Sequence, residues 1–250
     1  MQTLYTAKLG LQAQQQRVNT IGNNLANSQT TGFKQQRTNF KDALYTAMIN
    51  PADTQSAANL QQGCGVLVSS TSHNFDQGTP QMTGYVLDFY LDGFGFFTVS
   101  DDNGNPQYTR SGSFLVSNEA DGTYLVTTSG KYVMDTGFNR IRLPENISDL
   151  TVSADGVLSA NNQVVAALNI VDFPNKDGLQ LVGAGCYIET DSTGAAVQSD
   201  AVVRQGVLEA SNVDVTNEMT QLIRAQRAFS LASRAVSAWN DMTEKAYNSR

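Results

Sequence analysis

The sequence predicts a mixed fold, with a helix at each end of the chain and a central, mainly antiparallel β domain. At both ends of the 250 residues, side chains suited to a packed seam recur at alternating spacings of three and four. In the middle the period changes to two, in segments rich in Tyr, Phe, Val and Thr. A hydrophobic content of 40% is enough for a sizeable core. Because two seams can face each other, we expect the terminal helices to pair as a coiled coil.

The predicted N-terminal helix has a seam that is one residue wide. Most of its other positions are Gln, Thr or Asn, and the seam consists of Leu4, Ala7, Leu11, Gln14, Val18, Ile21 and Leu25. We expect the helix to stop at "GNNLANSQTTGFK", residues 22–34, which combines three asparagines and two glycines with no acidic residue. Residues 1–30 therefore form one half of a predicted helical domain.

Residues 31–84 are predicted to be an extended connector. Within this range, residues 46–80 are poor in apolar side chains and rich in Ala, Gln and Asn. This composition favours a link between two domains over a third core.

The central β domain is predicted to span residues 85–212. Segments such as "YVLDFYL", "FGFFTVS", "QYTRSGSFLVS" and "GTYLVTTSG" alternate or run apolar, and turn-forming "DDNGNP", "EADG" and "TSG" separate the strands. Later segments, including "GCYIET" and "VVRQGVLEA", continue the pattern. Turns at intervals of about 8 to 12 residues, with no helical period, indicate an all-β body.

The C-terminal helix, in residues 213–250, carries the same seam spacing more strongly. Asn212 or Asp214 can cap its first turn. Large and small side chains alternate along the seam, as knobs-into-holes packing requires. The seam consists of Val215, Glu218, Leu222, Ala225, Phe229, Ala232, Val236 and Trp239. Two narrow seams favour pairing of the helices with each other and with other copies, over one helix facing a core.

The net charge of −7 is distributed unevenly along the chain. Residues 1–41 hold five basic and no acidic residues, residues 213–250 have a net charge of +1, and the middle is therefore at −13. An acidic bulk repels phosphate, so we expect no nucleic-acid partner. Neither a cleavable secretory signal nor a run of about 18 apolar residues occurs, so we expect no direct membrane insertion and an export route without a cleaved signal.

No constellation of side chains predicts an active site. Adjacent Asp101 and Asp102 in "DDNGNP" are typical turn formers. Glu189 and Asp191 in "IETD" could imitate the carboxylate pair of a glycosidase, but an acidic β domain supplies such pairs by chance. His73 lies in the predicted connector, where no rigid scaffold would orient it. We therefore predict that the protein is not an enzyme.

Metal and cofactor sites are not predicted either. Cys64 and Cys186 are 122 positions apart, no CxxC occurs, and a single histidine cannot complete a metal quartet. A disulfide between the two cysteines is allowed but is not needed by a chain of this size.

Motifs at both ends and in the middle resemble one protein family. The N-terminal "LYTAKLGLQAQQQRVNTIGNNLANSQTTGFKQQRTNFKDALY" contains a helix, an "NNLAN…TxGFK" turn and a phenylalanine-containing segment. The C-terminal "GVLEASNVDVTNEMTQLIRAQRAFSLASRAVSAWNDM" and the central "LDGFGFFTVSDDNGNPQYTRSGSF" carry two further motifs. All three are similar to motifs of the bacterial flagellar rod and hook axial proteins, and the similarity spans almost the whole chain. Within that family, 250 residues are too few for a hook subunit and too many for the smallest rod subunits.

The resemblance implies a structural subunit of the flagellar basal body. Its terminal helices would form the inner tube of a hollow helical filament of identical copies, with the β body outside. The implied partners are other rod and hook axial proteins, the flagellar type III export apparatus and ring proteins around the rod. The turn after the first helix would lead the chain outward, with asparagine amides bonding backbone groups where subunits meet and Phe33 as an apolar anchor.

The residues implied in assembly fall into two groups. The N-terminal group is Leu11, Val18, Ile21, Asn23, Asn24, Leu25, Ala26, Asn27, Gly32, Phe33 and Lys34. The C-terminal group is Leu222, Ala225, Phe229, Ala232, Val236 and Trp239.

A second interpretation is a carbohydrate-binding or adhesive β module with helical oligomerisation tails. Such a module would bind glycans through exposed aromatic side chains such as Tyr85 or Tyr124. Electron microscopy of concentrated protein separates the two, because only the axial protein forms helical tubes.

Overall fold

The computed structural model describes residues 2–47, 61–101, 103–144, 150–161 and 163–248. The chain divides into two compact units. The helical unit comprises residues 1–26, 36–74 and 214–250, and the β unit comprises residues 27–35 and 75–213. The boundary at residue 27 divides the "GNNLANSQTTGFK" motif, so that its second half belongs to the β unit.

Among its described residues, the helical unit contains two helices and four strands. They are α1 (Gln2–Ala26), β1 (Gln36–Asp42), β2 (Tyr45–Ala47), β3 (Gln61–Gly63), β4 (Val66–His73) and α2 (Val215–Asn248).

The two helices pack against each other within this unit. Asn24, near the end of α1, donates a hydrogen bond to Glu218 in the first turn of α2, so the helices run antiparallel. Helix α1 has 25 residues and α2 has 34, so α2 is longer by about 14 Å at a rise of 1.5 Å per residue. The two predicted terminal helices are confirmed, and their interdigitation as a coiled coil stays a prediction.

A two-stranded antiparallel ribbon packs on α1. It joins β1 to β4, from Gln36 opposite His73 to Asp42 opposite Val66, with a register shift between Asn39 and Phe40. Both strands contact α1, and β2 pairs with β3. This ribbon lies within the predicted connector, and Thr, Ser, Asn and Gln at many of its positions hide the alternation typical of a strand. Residues 48–60 of the connector lie outside the described residues.

In the part of the β unit that the structure describes there are seventeen strands and a short 3-10 helix at Lys176–Gly178. The strands are β5 (Pro80–Met82), β6 (Phe89–Asp92), β7 (Phe96–Ser100), β8 (Pro106–Thr109), β9 (Phe114–Glu119), β10 (Gly122–Thr127), β11 (Tyr132–Val133), β12 (Arg142–Leu143), β13 (Leu150–Val152), β14 (Val157–Ala160), β15 (Gln163–Ala167), β16 (Ile170–Asp172), β17 (Gln180–Gly183), β18 (Cys186–Ile188), β19 (Val197–Gln198), β20 (Val202–Gln205) and β21 (Val207–Glu209).

The largest sheet follows the order β12-β10-β11-β7-β8-β18-β17, with β9, β16 and β19 attached at its sides. A three-stranded sheet joins β13, β14 and β15, while β20 pairs with β6 and β21 pairs with β5. The strand pairings among the described residues of this unit are antiparallel. The predicted central, mainly antiparallel β domain is therefore confirmed.

Strand β7 lies at the centre of the core. All five of its residues are buried, because successive side chains point to opposite faces and both faces are covered. Phe97 and Val99 join the larger aliphatic cluster, which also contains Leu125 and Leu158. On the other face, Phe96 joins a smaller cluster made mostly of aromatic side chains: Tyr108, Val171, Phe173, Leu179 and Tyr187.

Candidate assembly interface

The predicted seam of α2 is its least exposed face. Val215, the first of the eight predicted seam residues, is exposed. From Glu218 to Trp239, the other seven are buried or half-buried, whereas all other positions in this span except Gln221 and Ala228 are exposed. Only Glu218 and Ala225 are fully buried, at 2% and 1% exposure. The remaining five seam residues are half-buried: Leu222, Phe229, Ala232, Val236 and Trp239. A single chain thus leaves part of this apolar stripe accessible to another copy.

Helix α1 buries two adjacent stripes rather than one. On the predicted seam Ile21 is buried, and Ala7, Leu11, Gln14, Val18 and Leu25 are half-buried. A neighbouring stripe contains Ala13, Thr20 and Asn24, all fully buried. The ribbon of β1 and β4 explains the second stripe, since the Thr20 and Thr38 hydroxyls lie 2.8 Å apart. The prediction of a seam one residue wide is therefore wrong for α1.

Asn24 joins the end of α1 to both β1 and α2. Its side-chain amide donates to the Gln36 carbonyl at 2.8 Å, and its oxygen accepts from the Gln36 N–H at 2.8 Å. The same amide nitrogen lies 3.4 Å from a carboxylate oxygen of Glu218. Because Asn24 is 1% exposed, these partners replace water for all of its polar atoms. An asparagine amide of the motif does bond backbone groups, as expected, but those groups belong to the same chain.

Asp214 caps helix α2. Its carboxylate accepts from the backbone N–H groups of Thr216 and Asn217, at 2.9 and 3.2 Å. Asn212, the other predicted cap, instead bonds inside the β unit, where it accepts from the Gln35 N–H at 2.8 Å and donates to the Asp76 carbonyl at 3.0 Å.

A buried ionic triad organises the β unit where the N-terminal and C-terminal segments meet. The ammonium of Lys34 lies 2.6 Å from one carboxylate oxygen of Glu209, and the guanidinium of Arg110 lies 2.6 Å from the other. The three side chains are 1%, 2% and 5% exposed for Lys34, Glu209 and Arg110. Lys34 also donates to the Asp76 carbonyl at 2.7 Å, and Arg110 donates to the carbonyls of Leu91, Gly93 and Gly95.

The charge of the triad is only partly balanced. Burial lowers the pKa of the Lys34 ammonium, and the Glu209 carboxylate opposes that shift because it stabilises the charged form. One carboxylate pairs with both cations, so the loss of Glu209 would leave Lys34 with only the weaker electrostatic attraction of Asp76 and would remove the ion pair of Arg110. The integrity of the site depends most on this glutamate.

The backbone around the triad is closely packed. Gly32 donates its N–H to the Glu209 carbonyl at 2.9 Å and has a φ of +67°. A Cβ on Gly32 would lie 2.6 Å from the Ser111 nitrogen, so glycine is needed for both conformation and space. Gly78 donates its N–H to the Glu209 carboxylate at 2.7 Å, and a Cβ there would lie 1.9 Å from the Ala210 carbonyl oxygen.

The structure distributes the predicted N-terminal residues over both units. In the β unit, Gly32 and Lys34 are buried, and Asn27 and Phe33 are half-buried. In the helical unit, Asn23 and Ala26 are exposed. Sequence reasoning missed Arg110 and Glu209 as partners of Lys34. The available signal was a lone charge inside each of two strand motifs, "YTRSG" and "VLEAS".

The described residues among the candidates for catalysis lie in a turn, in a strand or on the surface. Asp101 accepts from the N–H groups of Asn103 and Asn105, as predicted for a turn former; Asp102 lies outside the described residues. His73 is in β4 and contacts Gln36, so the prediction that no scaffold orients it is wrong. Glu189 and Asp191 are both exposed.

Other expectations concern metals, disulfides and membranes. Cys64 and Cys186 are not disulfide-bonded. Within the described ranges, no cluster of His, Cys, Asp and Glu could hold a metal ion. No described helix is both long enough and apolar enough to span a bilayer.

Three family models match separate parts of the chain. The model for "Flagella basal body rod protein" matches residues 4–34, that for "Flagellar hook protein FlgE/F/G D1 domain" matches residues 90–160, and that for "Flagellar basal body rod FlgEFG protein C-terminal" matches residues 204–249. The triad takes one residue from each matched region, namely Lys34, Arg110 and Glu209.

Relatives match nearly the full length. The flagellar basal-body rod protein FlgG of Caulobacter vibrioides is 35% identical, over 98% of this chain and 97% of its own. The flagellar basal-body rod protein FlgG of Bacillus subtilis is 30% identical, over 99% of this chain and 98% of its own. The flagellar basal-body rod protein FlgF of Caulobacter vibrioides is 31% identical, over 90% of this chain and 88% of its own.

Proposed function

This chain belongs to the family of flagellar basal-body rod proteins, and we propose on that premise that it is a structural subunit of the rod. Copies polymerise through α1 and α2 into a hollow axial filament that transmits torque and passes exported subunits. The protein acts as a structural element and not as an enzyme.

One observation carries the proposal of helix-driven assembly. The helices from the two ends of the chain pack together, yet the seam of α2 stays half-buried at five of its seven positions between Glu218 and Trp239. Packing against further helices would bury the rest of this stripe, which is how most helices in proteins gain stability. A filament supplies such helices from neighbouring copies.

The relatives support the finer assignment. Two FlgG proteins match at 35% and 30% identity over at least 97% of each chain. We therefore place the chain in the distal rod, within the flagellar basal body, with other axial proteins as its neighbours. Export through the flagellar type III apparatus and contacts with ring proteins around the rod complete the proposal.

The alternative of a carbohydrate-binding module is not favoured. Of its two candidate aromatics, Tyr124 is half-buried, packs edge-to-face with Tyr132 and donates to Asp121. The similarity to rod proteins also extends across the β unit, which that alternative would treat as the glycan-binding part.

The test is Phe229→Ala in the full chain. In an assembled seam the truncation should cost roughly 3 to 5 kcal/mol per subunit, because a large side chain leaves a packed site. We expect polymerisation, measured by electron microscopy and sedimentation, to fail at concentrations where the unchanged protein forms tubes. The melting temperature of the β unit should not change, since Phe229 lies outside it.

Ser230→Ala is the matched control. Ser230 is exposed and lies one position off the seam, so its substitution should leave assembly intact. If both variants assemble equally well, the seam of α2 does not hold the filament together.

A further inference from the structure

The β unit presents a preformed apolar projection at the loop between β5 and β6. Met82 is 88% exposed and Tyr85 is 73% exposed. The N–H groups of Thr83 and Gly84 both donate to the Gly206 carbonyl, at 2.9 and 3.0 Å. The Thr83 hydroxyl also donates to the Asp88 carboxylate at 2.6 Å. Internal hydrogen bonds therefore fix the conformation of this loop. Its two exposed side chains, Met82 and Tyr85, are called the knob below.

The same unit has an open groove of about 450 Å³ between the β6–β7 turn, the end of β16 and β19. Phe94 and Val197 line it and are 60% and 56% exposed. Asp92, Asp172 and Asp200 line it as well, so the groove combines apolar surface with hydrogen-bond acceptors.

Two of the three groove carboxylates already have cationic partners. Asp92 pairs with Arg204 at 2.6 Å, and Asp172 pairs with Lys176 at 3.1 Å. Asp200 is exposed and forms no ion pair with any described residue, whereas the Oδ1 atom of Asp172 is buried, so Asp200 is an acceptor that an incoming donor can reach. The Lys176 ammonium lies over the Phe94 ring, 4.1 Å from its centre, and Phe94 is still 60% exposed. An aromatic side chain with a hydroxyl group suits such a site, because its ring can pack on Val197 and the remaining surface of Phe94 while the hydroxyl donates to a carboxylate.

The knob and the groove lie at opposite ends of one two-stranded ribbon. Strands β6 and β20 pair from Phe89 opposite Gln205 to Asp92 opposite Val202. Gly206, which holds the knob loop, follows the first pair, and the groove residues Asp92 and Ala201 lie at the last. The four pairs separate the two ends by about 10 Å along the strands.

Two different patches at opposite ends of one element suit a head-to-tail contact. In such a contact every copy uses its knob on one neighbour and its groove on another, which generates an open helical array. A symmetric dimer would instead use the same patch twice. The inference rests on the proposed function, because a rod filament requires contacts that repeat without closing.

We propose that the Tyr85 and Met82 knob of one copy inserts into the groove of the next copy, with the Tyr85 hydroxyl donating to the Asp200 carboxylate. This contact makes the β unit a second assembly surface, separate from the helices. The β6–β20 ribbon then links successive contacts.

The first experiment replaces Tyr85 with a benzoylphenyl photo-crosslinking residue in isotopically labelled full-length chains mixed with unlabelled chains. Crosslinked peptides should join labelled position 85 to unlabelled residues 92–94 or 197–201. A labelled chain that carries both the probe and Phe94→Ala has a knob but an impaired groove. It should therefore crosslink several-fold more to unlabelled unchanged chains than to other chains that carry the same two changes. Crosslinks between two knobs, or equal yields in both cases, would overturn the head-to-tail arrangement.

The second experiment measures the critical concentration for polymerisation. Tyr85→Ala should raise it about tenfold or more, since tyrosines in pockets are frequent hot spots. Phe138→Ala is the control, because Phe138 is also an exposed aromatic of the β unit, at 58%, and lies outside both patches. Equal effects of the two variants would refute the contact.

The outcomes separate this inference from the proposed function. Tubes without position-85 crosslinks leave the rod assignment standing and refute the knob-and-groove contact. Crosslinks between copies without tubes support the contact and count against the rod filament. If neither tubes nor crosslinks form, both proposals are refuted. If glycans shift the melting temperature and Tyr85→Ala abolishes that shift, the knob binds a carbohydrate instead.

Discussion

Glu209 is the residue on which the buried charges of the β unit depend. Its carboxylate accepts from Lys34, Arg110 and the Gly78 N–H, and all three side chains of the triad are at most 5% exposed. Charges removed from water are tolerated only when paired and hydrogen-bonded. The triad therefore links stability to the simultaneous presence of residues from three distant parts of the chain.

We expect Glu209→Gln to destabilise the β unit by about 3 to 5 kcal/mol, because it removes the carboxylate that forms ion pairs with two buried cations. Urea unfolding of the monomeric protein, followed by tyrosine fluorescence, measures the loss. Lys34→Met should cost less, since it leaves the Arg110–Glu209 pair balanced. Asp155→Asn, at an exposed carboxylate of the β unit, is the control and should be nearly silent. Equal costs for Glu209→Gln and Asp155→Asn would show that the triad does not stabilise the unit.

At the scale of elements, the end of α1 is tied to the start of β1 by one side chain. Asn24 bonds both backbone polar groups of Gln36, so the ribbon begins at a fixed point on the helix. Asn24→Ala should leave those groups unsatisfied, at a cost of about 1 to 3 kcal/mol. In assembled protein, hydrogen exchange at the Gln36 N–H should speed up at least tenfold. The exposed Asn23→Ala is the comparison, and unchanged exchange in Asn24→Ala would contradict this role.

The elements also show what sequence patterns can predict here. The α2 seam and the strands around "FGFFTVS" were predictable, because burial on one face imposes a period that apolar residues display. The β1–β4 ribbon was not, since Thr, Ser and Asn occupy six of its fifteen positions and interrupt the apolar alternation, and hydrogen bonds such as that between Thr20 and Thr38 supply contacts with α1. The triad was missed for a different reason. Lys34 and Glu209 are 175 positions apart, and no local pattern records which charges meet in the fold.

At the scale of the whole molecule, the two units depend on different sources of stability. The β unit has two clusters of buried side chains, with Phe97 and Leu158 at most 1% exposed. In the helical unit the fully buried residues of α2 are Glu218 and Ala225, among those described. Helices with so little buried apolar surface gain most of their stability from additional packing partners. We therefore expect the β unit to be folded in the monomer and the helices to become stable on assembly.

Hydrogen exchange in dilute, verified monomer tests this expectation along the chain. Amides of α1 and α2 should exchange rapidly, because opening of a partly packed helix costs little free energy. Protection should begin within the N-terminal motif, at Gly32, whose N–H donates to the Glu209 carbonyl inside the β unit, and not at Ala26 where α1 ends. On polymerisation, protection should spread to both helices, and Phe229→Ala should prevent that spread while leaving Gly32 protected. Strong protection of α1 and α2 in the monomer would show instead that the two helices already form a stable pair, and that assembly adds contacts to a finished subunit.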